Sequence, residues 1–215
     1  MTVELILGDC LDVMRGMDDN SVDFGFTDPP YNVGKDYGTY KDNLPENEYF
    51  DWCVEWITEL QRVCKTVAIY PPKKHLLWFW NKFPDHHQII CAWSPSGAIR
   101  GNFVHQYIPL LVPNKPVKRL KDHWWNVQVP GLGYYYKEEK FNNPGQTSMD
   151  ITGRVIDGFT LPGDVVLDCF FGIGTTPVYC ATHERSFIGI EIDPTYFSIA
   201  QKRIHDAQKQ PLLLA

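Results

Sequence analysis

No run of eighteen or more apolar residues occurs in the chain, which excludes a hydrophobic membrane-spanning helix. The opening segment, MTVELILGDC, lacks a basic start and meets acid at Glu4 and Asp9, so it does not read as a secretion signal. Cysteine is sparse and scattered. Cys10, Cys53, Cys64, Cys91, Cys169 and Cys180 form no C-x-x-C pair and stand at no zinc spacing to a histidine. The expectation is no metal, no membrane, and reduced, buried thiols in a cytoplasmic protein. Internal repeats and low-complexity tracts are also missing. So is a basic balance: the formal charge is −6 at pH 7, which counts against a nucleic-acid partner.

The charge is uneven, however. Between Arg100 and Lys140 stand seven cations and three acids, a net of +4, leaving −10 on the rest of the chain. That stretch also holds Trp124-Trp125 and Tyr134-Tyr135-Tyr136. A basic, aromatic insert on an acidic body is a candidate nucleic-acid face, with Lys115, Lys118, Arg119 and Lys121 as its DNA-binding residues.

Hydrophobic periodicity alternates between strand and helix. Strands are expected at Val3–Leu7, Val22–Thr27, Val67–Tyr70, Gln88–Trp93, Tyr107–Val112, Val165–Leu167 and Phe187–Glu191. Helices are expected near Leu11–Met17, Glu46–Lys65, Lys73–Phe83 and Ile151–Phe159, from Thr176, and after Pro194 to about Ala207. Gly34 to Asn43 reads as a mobile polar loop, and regularity fades from Ser94 to Pro144. The pattern predicts an α/β fold, a mostly parallel Rossmann-like sheet flanked by helices. The 215 residues suit one domain, with an insert at about 94–145.

Two segments carry chemistry. Thr27-Asp28-Pro29-Pro30-Tyr31-Asn32 ends a strand, where ligands of open α/β sheets bind. The prolines stiffen the turn and bring no N–H to compete for its carbonyls. Asp28 adds an anionic acceptor and Tyr31 a flat apolar face, which suits an amino group on a stacked base. The second segment, Val165 to Thr176, reads strand, glycine turn, helix. Gly172-x-Gly174 lacks the third glycine of a dinucleotide fingerprint. Glu191, which ends the next strand nineteen residues after Gly172, is placed to bond ribose hydroxyls.

Together, Asp-Pro-Pro-Tyr followed by F-x-G-x-G resembles the beta class of bacterial and phage DNA amino-methyltransferases. Gly8-Asp9-Cys10 and Pro162-Gly163-Asp164 belong to the same resemblance. It implies a class I methyltransferase fold in circularly permuted motif order, with S-adenosyl-L-methionine as cofactor. It implies that Asp168, Phe170, Gly172, Gly174, Thr175 and Thr176 hold that cofactor, with Glu191 on its ribose and Asp9-Cys10 at its adenine. Asp28, Pro29, Pro30 and Tyr31 would hold the target base, flipped out of double-stranded DNA. The resemblance also implies that the insert at about 94–145 is a short target-recognition segment. An aspartate at position 28 is more typical of adenine-N6 than of cytosine-N4 enzymes. Alternatives are cytosine-N4 transfer, an impaired DNA-binding subunit that keeps the fold, and transfer to RNA or protein. A second copy of the chain is a candidate partner. The sequence departs from the family at Cys169, where proline is frequent. It departs again at Asn143-Pro144-Gly145-Gln146-Thr147-Ser148, where many members carry H-P-x-Q-K-P.

Overall fold

The computed structural model describes residues 1–83, 86–100, 103–113, 115–121, 123–124 and 146–209. The chain runs β1 (Val3–Leu7), α1 (Cys10–Arg15), β2 (Val22–Thr27), β3 (Asp36–Tyr37), β4 (Tyr40–Lys41), α2 (Glu46–Val63) and β5 (Cys64–Ile69). A 3₁₀ turn (Lys73–His75) and α3 (Leu76–Lys82) follow, then β6 (His86–Arg100), β7 (Phe103–Pro113) and β8 (His123–Trp124). The last part is α4 (Met149–Phe159), β9 (Val165–Asp168), α5 (Thr175–Thr182), β10 (Ser186–Glu191) and α6 (Pro194–Lys209).

Eight of these strands form one sheet, in the order β1-β10-β9-β2-β5-β7-β6-β8. The first five are mutually parallel, while β7 runs antiparallel to both β5 and β6. Their side chains alternate between two apolar layers, as a sheet covered on both faces requires. Phe24, Phe26, Val166 and Phe187 pack on one side with Ile151, Val155 and Ile156 of α4. Val67, Ile69, Leu167 and Ile190 pack on the other with Tyr49, Cys53, Trp56 and Leu60 of α2. Those α2 residues follow the three- and four-residue spacing of one helical face. Each large buried side chain contributes about 1.5–3 kcal/mol.

Helix starts follow local chemistry. Asp9 caps α1 by accepting from Leu11 and Asp12 N–H, and Ser148 caps α4 by accepting from Ile151 N–H. Asp193 opens α6 with Oδ1 on the Thr195 and Tyr196 amides, leaving Pro194 in the first turn where its missing N–H costs nothing.

Three expectations need correction. The stretch Gly34 to Asn43 is not a loose loop but contains the antiparallel hairpin β3–β4. Its backbone is gathered by the buried Asp42 carboxylate, which accepts from the Asn32, Val33 and Lys35 amides at 2.6, 3.0 and 3.0 Å. Regularity also does not fade at Ser94. Strand β6 continues to Arg100 and pairs with β7, so a boundary at 94 falls inside a strand. A register shift between Trp93 and Ala98, spanning Pro95 and Gly97, breaks the period that would have revealed it. The helix expected at Lys73–Phe83 begins instead as a 3₁₀ turn.

Among the described residues, Cys10, Cys53, Cys64, Cys169 and Cys180 are free and buried. Among them, too, no helix is long and apolar enough to cross a membrane, and no group of acids, histidines and cysteines is placed to hold a metal.

Candidate active site

Because β1, β10, β9 and β2 are parallel neighbours, their carboxyl ends share one edge of the sheet. The four loops leaving that edge carry Gly8-Asp9, Glu191, Cys169-Phe170 and Asp28-Tyr31, and all of them line one cleft. The loops are tied to one another: Gly8 N–H donates to the Glu191 carbonyl at 2.9 Å and Phe171 N–H to that of Ile190 at 3.3 Å. The cleft spans about 910 Å³, part of it open to solvent.

Asp28, Pro29, Pro30 and Tyr31 stand together on its wall. Tyr31 donates its hydroxyl to Asp28 Oδ1 at 2.6 Å, and Thr147 donates to Asp28 Oδ2 at 3.1 Å. The Pro30 carbonyl accepts from the Tyr49 hydroxyl at 2.9 Å, which fixes the turn against α2. Among the described residues no donor reaches the Pro29 carbonyl. Burial pushes the Asp28 carboxyl up to about 6, against the opposing pull of the Tyr31 hydroxyl, Lys35 and Thr147. Burial, reinforced by the Asp28 charge, drives the Tyr31 phenol well above its ordinary range.

The glycine turn is organised by two acids with different duties. Glu191 accepts from Gly172 N–H at 2.9 Å and from Asp193 N–H at 2.7 Å, one on each oxygen, and faces the cleft. A carboxylate has about four acceptor sites, so the pair of amides does not exhaust it. Burial lifts its carboxyl to about 7, opposed by those amides. Asp168 instead lies behind the cleft wall, where it accepts from Thr27 Oγ1 at 2.8 Å, Phe170 N–H at 3.1 Å and Thr176 Oγ1 at 2.6 Å. Burial raises it to about 6. Thus Phe170 and Gly172 of the expected cofactor set reach the cleft, whereas Asp168, Thr175 and Thr176 shape the turn from beneath. Gly174 serves packing: at φ 89° it caps α5, and a Cβ there would come within 2.7 Å of the Ala200 Cβ on α6.

Asp9 and Cys10 line the opposite end. Both amide contacts to Asp9 fall on Oδ1, and no described residue donates to Oδ2. The Cys10 thiol is pushed up to about 12, chiefly by burial and then by Asp9. Several lining residues gave no signal as motifs. Lys35 lies over the Tyr31 and Tyr37 rings at 5.5 and 5.9 Å, and Tyr40 packs on Trp52, which itself packs on Phe170. The hairpin that carries Tyr37 and Tyr40 is fastened across the cleft, with Thr39 donating to Asp193 Oδ2 at 2.9 Å. Gly38, at φ 71°, makes that approach feasible, since a Cβ would stand 2.7 Å from the same oxygen. The sequence offers three tyrosines, Tyr31, Tyr37 and Tyr40, within ten residues, but without a regular period nothing assigns them to a pocket.

The basic residues are not in this cleft. Lys118, Arg119 and Lys121 border a second groove with Trp124 and Arg154, and Lys115 is exposed beside that segment. Lys118 lies 3.8 Å from Asp157, half exposed. Lys137, Lys140, Trp125, the tyrosines 134–136 and residues 143–145 lie outside the described residues.

A family model described as DNA methylase, of the N6/N4 methyltransferases, matches residues 22–70 and 69–202. The chain belongs to that family. Its members use S-adenosylmethionine, and this methylase is a DNA methyltransferase of the N6/N4 type. Type II methyltransferase M.HpaI of Haemophilus parainfluenzae is 28% identical over 95% of this chain and 74% of that protein. DNA adenine methyltransferase YhdJ of Escherichia coli is 28% identical over 93% of this chain and 82% of that protein. The crystal structure of the M1.HpyAVI–SAM complex superposes with a TM-score of 0.71 at 23% identity, over 94% of this chain and 99% of that one. The cytosine-N4-specific PvuII DNA methyltransferase gives 0.69 at 15% identity, over 96% and 92%. The fold is that of the class I methyltransferases.

The cleft fits such a cofactor. Three carboxylates, Asp9, Asp28 and Glu191, line it and would complement the positive charge of a sulfonium and an ammonium, and no described residue donates to Asp9 Oδ2.

Proposed function

We propose that this methylase transfers a methyl group from S-adenosylmethionine to the N6 amine of adenine, flipped out of double-stranded DNA. The reading rests on one juxtaposition: the Asp28 carboxylate and the Pro29 carbonyl, two acceptors, line the same cleft as Glu191 and the Gly172 turn. An exocyclic amine has two N–H bonds and needs two acceptors. When bound, the cofactor supplies an electrophilic methyl carbon.

The residues then act as follows. Glu191 accepts from ribose hydroxyls with the acceptor sites its two amide donors leave open. Asp9 Oδ2 takes the adenine amine of the cofactor. Phe170, braced by Trp52 and Trp56 at 5.6 and 5.3 Å, forms an apolar wall. The target base replaces the Tyr31 hydroxyl on Asp28 Oδ1 and stacks on the Tyr31 ring. Asp28 and the Pro29 carbonyl accept the two amino hydrogens. These bonds strengthen as the nitrogen loses planarity and gains positive charge, so they favour the transition state over the ground state. Positioning in the closed cleft supplies much of the rest.

Aspartate at position 28 and the likeness to the adenine enzyme YhdJ support adenine over cytosine. The test is tritiated methyl transfer to unmethylated DNA, followed by digestion to nucleosides. N6-methyladenine is the expected product. N4-methylcytosine alone would overturn the choice of base, and label in RNA or protein but not in DNA would overturn the substrate.

A further inference from the structure

Thr147 stands 119 residues from Asp28 in sequence, in the short approach to α4, and its hydroxyl donates to Asp28 Oδ2 at 3.1 Å. Its carbonyl accepts from Thr175 Oγ1 at 3.4 Å, at the first residue of α5. The next residue, Thr176, donates to Asp168 Oδ2 at 2.6 Å, and Asp168 Oδ1 accepts from Thr27 at 2.8 Å. Thr27 is the neighbour of Asp28 in the chain. The contacts therefore close a ring: Asp28, Thr147, Thr175, Thr176, Asp168, Thr27 and back to Asp28. The ring joins the end of the catalytic strand to the underside of the cofactor turn at two places, through Asp168 and Thr27 and through Thr147 and Asp28.

We propose that Thr147 is a positioning residue for methyl transfer, its hydroxyl fixing the plane of the Asp28 carboxylate against the cofactor turn so that Oδ1 is presented to the target amine. The proposal rests on the reading of Asp28 as the acceptor of that amine. Three features of the position suit the task. A β-branched side chain has few rotamers, so the hydroxyl is held rather than sampled. Ser148, the following residue, is committed to capping α4, which anchors the Thr147 backbone. The two oxygens of Asp28 then have separate duties: Oδ2 is spoken for by a fixed donor, while Oδ1 holds an exchangeable one, the Tyr31 hydroxyl.

The hydroxyl also biases charge. A hydrogen bond donated to a carboxylate favours its ionised form. The groups facing Asp28 are Tyr31 from its own loop, Lys35 ahead of the hairpin, Tyr37 on β3, Thr147 ahead of α4, and Asp168 from β9. Tyr31, Lys35 and Thr147 favour the anion, whereas burial and Asp168 oppose it. Loss of the Thr147 donor therefore raises the pH at which Asp28 ionises, and activity that needs the anion fails at a higher pH.

The experiment compares Thr147→Val, Thr147→Ser and Asp28→Asn in steady-state methyl transfer across pH 5 to 9, with cofactor affinity by calorimetry. Thr147→Val is expected to lower kcat about tenfold, the scale of a lost hydrogen bond to a charged group. The acidic limb of its kcat profile should move up by about one pH unit, with cofactor Kd within about twofold of the parent. Thr147→Ser should recover most of the kcat and return the limb to its place. A parent-like limb in Thr147→Val would overturn the proposal, as would a serine variant as impaired as the valine one. Should Thr147→Val fail to fold, the serine variant alone decides, since it keeps the donor and loses only the methyl group. Asp28→Asn separates the two levels. Full activity in that variant, which keeps one acceptor oxygen but carries no charge, would sink the requirement for an anion at Asp28. An inactive Asp28→Asn beside a parent-like Thr147→Val would sink only the positioning role.

Discussion

At the scale of residues, the site sets three carboxyls, Asp168 and Glu191 buried and Asp28 partly so, in three different environments. Asp28 and Glu191 face the cleft, and Asp168 holds the turn from behind. Glu191 carries a consequence for binding. Burial raises its carboxyl to about 7, so near neutrality the empty enzyme holds it partly protonated. Ribose hydroxyls donate to the anion and favour it. Cofactor affinity should therefore fall as pH drops below about 7, and binding at pH 6.5 should release protons. Calorimetry in buffers of different ionisation enthalpy measures that release. Glu191→Gln should bind about ten- to a hundredfold more weakly, the scale of a lost charged hydrogen bond, and show no such release. An unchanged proton count in the variant would remove Glu191 from the ribose.

The residues that sequence could identify are those whose role depends on a strand end. Asp28, Tyr31, Phe170, Gly172 and Glu191 all sit where a parallel strand stops, and a short motif is enough to mark such a place. Thr147 and Asp42 could not be found that way. Each acts on a residue brought near by packing between elements or by a loop folding back, and neither belongs to a periodic pattern. Asp168 was legible as part of the motif, but its direction was not. Whether a strand-end acid faces the ligand or the core depends on the neighbours Thr27 and Thr176.

At the scale of elements, the hairpin β3–β4 shows a similar limit. Two residues on each strand give no alternation to read, and its polar composition suggests a loop. What orders it is a single buried carboxylate. Asp42→Ala leaves three amides without their acceptor, and each such loss costs about 1–3 kcal/mol when the group stays dry. Allowing for water entering the opened site, a net loss of about 2 kcal/mol should lower the melting temperature by roughly 4–8 °C, at about 2–4 °C per kcal/mol for a domain of this size. Asp42→Asn, which keeps one acceptor oxygen, should lose less. Equal melting temperatures for the parent and Asp42→Ala would show that the hairpin is held by its strands alone. The long pair β6–β7 was hidden for the opposite reason, since its many residues are interrupted by Pro95 and Gly97 at a register shift.

At the scale of the whole molecule, Lys35 is the one cation lining the cleft among the described residues, and the expected DNA-binding cations lie elsewhere. The cleft is edged by carboxylates, and the cations Lys118, Arg119 and Lys121 gather at a groove of their own with Arg154. A track for the DNA backbone along that groove would set phosphates on the basic side and leave the acidic cleft to a single base. Lys118→Ala with Arg119→Ala should weaken DNA binding and reduce the slope of log affinity against log salt by up to about two, since each neutralised phosphate contributes about 0.9. A slope equal to the parent's would put the DNA path on another face. The two acids of the groove temper this expectation in magnitude, because Asp157 already draws Lys118 to 3.8 Å.

The strand order also bears on how the enzyme comes into being on the ribosome. Strands β1 and β2 precede β9 and β10 in the chain, yet they are not neighbours: β10 and β9 stand between them. Strand β1 pairs only with β10, and the Gly8 loop is tied to Glu191. At about 5–20 residues per second, roughly ten to forty seconds of synthesis separate the emergence of Asp9 from that of Glu191. Throughout that interval the catalytic Asp-Pro-Pro-Tyr turn exists without the strands that complete its cleft. Nascent chains that have not yet reached β9 therefore carry the Asp28 turn without the cleft. The cleft is completed when the β9–α5–β10 unit enters between β1 and β2.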